Sequence, residues 1–143
     1  MDIREHRSFN ARVRVAVITV GHADLTEGDT SQVVPLFTLP AGAQCLGKPE
    51  VALGTPFSGG GNNACAVKVG SAGDDDALLA TADLFAAATA GQASTQTAGL
   101  APTKRFAAET VINGTFTCAA GILSGFTAGA CTIRQLYCLP DNT

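Results

Sequence analysis

Val-Val-Pro-Leu-Phe-Thr-Leu-Pro-Ala-Gly-Ala, residues 33–43, reads as a short apolar strand that stops at a Pro-Ala-Gly turn. Nothing in it can do chemistry. Pro35 inside the strand has no N–H for a ladder, which predicts an edge position or a bulge. A second turn, Thr127–Ala130, opens a last strand over Ala130–Leu139. Apolar residues on both faces of that strand place it centrally or under cover on both sides.

Working outward, Arg12–Val20 alternates Arg with Val, the period-2 pattern of a strand with one wet face. Gly21–Gln32 reads as a polar loop. Gln44–Gly54 is a strand region interrupted near Gly47-Lys48-Pro49, as two short strands or one with a bulge. Thr55–Asn63 is rich in glycine and asparagine and reads as a mobile hairpin tip. Ala64–Ser71 places Cys65, Val67 and Val69 on one face and Lys68 on the other. Asp74–Asp76 precede Ala77–Thr89, where Leu78, Leu79, Ala82, Phe85 and Ala86 fall at helical spacing, so a short helix with an acidic first turn is predicted. Ala90–Thr103 is a low-complexity loop. Phe106–Ala119 returns to β, with Ile112, Phe116 and Cys118 on its apolar face.

Six to eight short strands separated by turns, with one short helical insert, predict an all-β sandwich or barrel. The 143 residues suffice for one domain with a real core. The division predicted is an extended basic arm over residues 1–14 and a single β-sandwich over residues 15–143.

Charged residues make up only 15% of the chain, below the roughly 25% of ordinary soluble domains. Either the surface is faced with Thr, Ser and Asn, or other subunits cover much of it. The net charge of −3 disfavours direct, sequence-independent binding of nucleic acid. In residues 1–14, Arg4, Arg7, Arg12 and Arg14 face only Asp2 and Glu5, whereas the rest of the chain is acidic. Such an arm either docks on an acidic surface or is a solvated terminus. No segment approaches the ~18–20 apolar residues of a membrane helix. The charged start lacks the apolar run of a secretory signal, so assembly in the cytoplasm is expected. Five cysteines without a C-x-x-C pair argue against a disulfide framework or zinc knuckle and for buried free thiols.

Chemical motifs fail on inspection. Gly59-Gly60-Gly61 lacks the Lys-Ser/Thr that meets phosphate and Mg²⁺. Three adjacent aspartates, Asp74–Asp76, are not expected to converge on one cation as the spread ligands of a calcium loop do. His6 and His22 lack a metal-ligand partner at helical spacing, and neither Ser31 nor Cys45 sits in a nucleophile signature. Asn113-Gly-Thr115 fits a glycosylation sequon but has no secretory signal beside it. The seven Phe and single Tyr have no basic interleaving and read as core. The expectation is a protein that is not an enzyme and that uses no metal or cofactor.

From Val33 onward the chain resembles tailed-bacteriophage head decoration, or capsid cement, proteins. The pattern runs from Leu39-Pro40-Ala41-Gly42-Ala43 through Val67-Lys68-Val69-Gly70 and the Asp74–Asp76 turn. It continues with Leu78-Leu79-Ala80, Glu109-Thr110-Val111 and Phe126-Thr127-Ala128-Gly129-Ala130, and ends at Tyr137. The five cysteines and the Ala86–Thr103 segment depart from it. The resemblance implies a β-sandwich, often a jelly roll, that sits on the outer surface of the capsid. It implies a homotrimer bound to the major capsid protein, stabilising the shell against internal DNA pressure. Contacts to the shell or to neighbouring copies are then expected from Arg4, Arg7, Arg12 and Arg14 in the arm, from Phe57 in the 55–63 loop, and from Thr95, Lys104 and Arg105. A tail, baseplate or head-fibre component of a phage particle is the alternative.

Overall fold

The computed structural model describes residues 13–85 and 105–139. Eight strands follow one another: β1 (Val13–Gly21), β2 (Ser31–Leu39), β3 (Gln44–Cys45), β4 (Glu50–Ser58), β5 (Ala64–Ser71), β6 (Asp74–Asp83), β7 (Thr110–Ala119) and β8 (Ala128–Cys138). They form two antiparallel sheets that pack as a sandwich. In one, β8 is central, with β1 along one side and β3 then β4 along the other. The other has the order β2-β7-β5-β6. First strand pairs with last and second with second-last, the nested arrangement of a jelly roll.

The stretch that opened the sequence reading behaves as it predicted. β2 pairs only with β7 among the described residues, so it is an edge strand, and its register shifts between Pro35 and Phe37. Beyond it, the Ala43 N–H donates to the Pro40 carbonyl at 3.1 Å and Gly42 takes φ +81°. That is a turn whose third position needs a residue tolerating positive φ, which glycine supplies without strain.

The core lies between the sheets. Phe57 of β4 and Phe116 of β7 are fully buried at its centre, with Ile112, Leu79, Val67, Val51 and Ile133 around them. Period-2 patterning builds it: Cys65, Val67 and Val69 alternate inward on β5, and Cys131, Ile133 and Gln135 do so on β8. One side of the sandwich is stitched shut. The Phe57 N–H donates to the Leu84 carbonyl, and the Leu84 N–H to the Cys65 carbonyl, each at 2.8 Å. β4 and β6 therefore meet at one side, and among the described residues β1 and β2 are the edge strands at the other.

Three expectations are corrected. The helix over Ala77–Thr89 is not formed; Asp74–Asp83 is strand β6, and residues 86–89 lie outside the described residues. Leu78 and Leu79 are both buried because the β5–β6 register shifts twice, between Val67 and Val69 and again between Val69 and Ser71. Those irregularities break the strict alternation and imitate helical spacing. The 55–63 segment is an ordered strand end and tight turn, not a mobile tip. Asn62 is buried, and its Nδ2 donates to the carbonyls of Gly59 (3.2 Å) and Ile122 (3.0 Å).

The third correction concerns β1. The alternation is real, but its faces are reversed. Val20 is buried and Ile18 packs on the core, so Arg14, Ala16, Ile18 and Val20 form the inward row. Val13, Val15 and Val17 point out. Alternation shows which residues share a face, whereas packing decides which face is dry.

Candidate functional site

The outward face of the β1-β8-β4 sheet is the most unusual surface of the described residues. On β1 and β8, Val15 stands opposite Leu136, and they are 53% and 50% exposed. Val13 and Val17 flank Val15 in the same outward row, both exposed. Beside them the sheet turns polar in rows. Val17 is followed by Arg134 and Glu50, whose side chains pair at 3.3 Å, and Thr19 by Thr132, hydroxyl to hydroxyl at 3.1 Å. An exposed pair of this kind adds little stability, so the row is better suited to set orientation at a contact. A contiguous apolar strip bordered by polar rows is the usual appearance of a protein contact surface.

The second element is the open edge of β2. The Cys118 N–H donates to the Thr30 carbonyl at 2.9 Å, which fixes the phase of the ladder. Backbone groups alternate along a strand, so Gln32 and Val34 bond to β7, whereas Ser31, Val33 and Pro35 direct theirs away from it. Pro35 thus lacks an N–H at a position where the sheet uses none. Among the described residues, the N–H and carbonyl groups of Ser31 and Val33 face no other strand and can take an added one. Val33 is also exposed.

Arg4, Arg7, Arg12, Thr95 and Lys104 lie outside the described residues. Arg14 is exposed and belongs to β1, with its Nη1 donating to the Val13 carbonyl at 3.3 Å. Arg105 is exposed and bridges to Gln44 next to β3. Phe57 is a correction. It is 0% exposed, meets Phe126 edge-on at 5.7 Å between centroids and Phe116 at 6.5 Å, and offers nothing to a partner. Val51 and Leu53 are buried on the same strand, but Thr55 is exposed and the register shifts twice between Leu53 and Ser58, so simple alternation does not reach Phe57.

The apolar strip itself was not anticipated. Its trace in the sequence is the pair of facts that β8 carries apolar residues on both faces and β1 carries valines at 13, 15 and 17.

The aspartates behave differently from expectation. One carboxylate oxygen from each of Asp74, Asp75 and Asp76 lies within 4.8 Å of the others. The irregular β5–β6 hairpin brings them together. Asp76 is held above the usual carboxylate range, first by a hydrogen bond with Asp74 and then by burial and the neighbouring charges, against the pull of Lys68. Lys68 pairs with Asp75 at 3.8 Å, both largely exposed. Asp24, near His22, accepts the Gly21 N–H at 2.8 Å and closes a turn.

The thiols are apolar filling. Burial pushes Cys45 up to about 11, and Cys65 and Cys131 up to about 12. At neutral pH these three are almost wholly un-ionised.

No helix among the described residues is long and apolar enough to cross a membrane. Neither a protein-family model nor a curated protein matches the sequence. Solved structures do. The fold matches a chain of the acidic stable capsid of Helicobacter pylori bacteriophage KHP30, with a TM-score of 0.57 and 18% identity over 91% of this chain and 90% of that one. It also matches a chain of the capsid asymmetric unit of cyanophage Pam1, with a TM-score of 0.59 and 20% identity over 90% of this chain and 85% of that one. At such identities the likeness establishes the fold alone.

Proposed function

We propose that this chain is a structural protein of a bacteriophage particle, a capsid decoration or cement subunit that binds the outer face of the major capsid protein. The observation that carries the reading is the near-complete match of the fold to chains from two phage capsid structures. The apolar strip on the outward face and the open β2 edge support it, since both are surfaces that association would cover.

The physical task is modest per contact. Packaged DNA pushes the shell outward, and a subunit that spans neighbouring capsomers adds binding free energy against their separation. A homotrimer multiplies weak contacts through effective concentration. In this reading the strip around Val15 and Leu136 rests on the shell or on a neighbouring copy. The edge from Ser31 to Pro35 accepts an extended segment by strand addition. In this reading the basic segment with Arg4, Arg7, Arg12 and Arg14 extends the contact, and Lys104 and Arg105 add to it. The chain performs no catalysis.

Copy number per particle tests the reading. Quantitative mass spectrometry of purified particles should find this chain in hundreds of copies, in fixed ratio to the major capsid protein. A handful of copies would overturn the shell assignment in favour of a tail, baseplate or fibre part, and absence from the particle would overturn both.

A further inference from the structure

Cys65 and Cys118 stand directly opposite each other on β5 and β7. The hydrogen bonds around them fix the kind of pair they make. The Cys118 N–H points away from β5, to the Thr30 carbonyl, and the Cys65 carbonyl points away from β7, to the Leu84 N–H. N–H and C=O of one residue lie on the same side of a strand. Neither cysteine therefore bonds its backbone to the other, and they form a non-hydrogen-bonded pair. Such pairs bring Cα atoms to about 4.5 Å, closer than the hydrogen-bonded kind. That lies within the roughly 4.4–6.8 Å that a disulfide spans. Opposed residues share a face, and here both side chains meet the core. The structure holds both as thiols.

We infer that Cys65 and Cys118 are a site of oxidative modification, closing to a cross-strand disulfide when the protein meets a disulfide oxidant such as oxidised glutathione. Cys118 is the entry point. It is half-buried near the end of β7, its thiol directed at the Gly121 carbonyl 3.7 Å away, whereas Cys65 is fully buried. The Cys118 thiolate attacks one sulfur of the oxidant, the S–S bond breaks, and one glutathione thiolate leaves. The Cys65 thiolate then attacks the Cys118 sulfur and releases the second glutathione. Two protein thiols lose two electrons and two protons, and one oxidised glutathione becomes two reduced ones.

The second step is the slow one. Burial, with Cys131, Cys118 and Asp83 nearby, holds Cys65 at about 12, so little of it is thiolate at neutral pH. A chain folded in a reducing compartment and then released into an oxidising one would meet such conditions.

The full-length protein, kept folded, is incubated with oxidised glutathione, acid-quenched, alkylated and mapped by mass spectrometry. The expected result is a cross-linked peptide joining Cys65 to Cys118, three alkylated cysteines in place of five, and reversal by dithiothreitol. The Cys131→Ala variant should keep the cross-link and Cys118→Ser should lose it. Five alkylatable thiols after oxidation, stable glutathionylation of Cys118 without a cross-link, or a cross-link through Cys131 would each overturn the inference.

Discussion

The ring of Phe57 lies directly on Gly129. A Cβ at position 129 would fall into that ring, and Gly129 itself has φ +145°, in the region that favours glycine. The close approach ties the end of β4 to the start of β8 at the centre of the core. Gly129→Ala is therefore expected to destabilise the protein by about 3 kcal/mol or more, from overpacking and backbone strain together. Phe57→Ala should cost about 3–5 kcal/mol through the cavity it leaves. Urea unfolding of the two single variants and Gly129→Ala/Phe57→Leu checks this. The double variant should recover part of the loss, because the clash needs both partners.

Val15 and Leu136 make the opposite prediction. Both are about half exposed on the outward face. Val15→Glu and Leu136→Lys should leave unfolding within about 0.5 kcal/mol of the parent. Binding to capsids lacking this protein should fall at least about 10-fold, the loss expected when one apolar anchor of about 1.4 kcal/mol is replaced. Sedimentation with such capsids measures it, and unchanged binding by both variants would remove the strip from the interface.

Val33→Pro probes the backbone of the β2 edge. Its N–H points away from β7, so proline removes a donor that no described strand uses. A far-ultraviolet spectrum like that of the parent is expected, with weaker assembly. Val34→Pro, one residue on, removes a donor to β7 and should unfold the edge instead. Equal effects of the two substitutions would show that the assigned phase of the ladder is wrong.

The buried thiols set a pH dependence. Cys45, Cys65 and Cys131 stay protonated in the folded protein up to about 11 or 12, against an ordinary value of 9.0. The unfolded chain releases those protons first. Stability is therefore fully present below about pH 8.5 and is lost as pH rises through the folded values. The urea midpoint of the parent should fall between pH 8 and pH 10.5, and that of Cys131→Val should fall less. Identical falls would contradict the assignment.

Much of this was legible in the sequence, for physical reasons. Pro35 marked an edge and a bulge because a missing N–H has few places in a sheet. Residues 64–71 and 110–119 were readable because alternation with one buried face is a strong signal. The β6 strand was not, because Leu78 and Leu79 sit beside register shifts that imitate helical spacing, and tertiary pairing overrode the alanine-rich composition. Phe57 was hidden by the glycines after it and by the two register shifts between Leu53 and Ser58, which break the alternation of Val51 and Leu53. The outward strip on β1 was hidden most deeply. Alternation puts Val13, Val15 and Val17 on one face, and only the packing of Ile18 and Val20 shows that this face points out.

The most direct test of the capsid reading is a cryo-electron microscopy map of particles that carry this chain. The account predicts sandwich-shaped density on the outer shell, repeated around local three-fold positions, with Val15 and Leu136 covered by the shell or a neighbouring copy. Density confined to the tail, or a shell-bound sandwich whose Val15–Leu136 strip faces solvent, would contradict it.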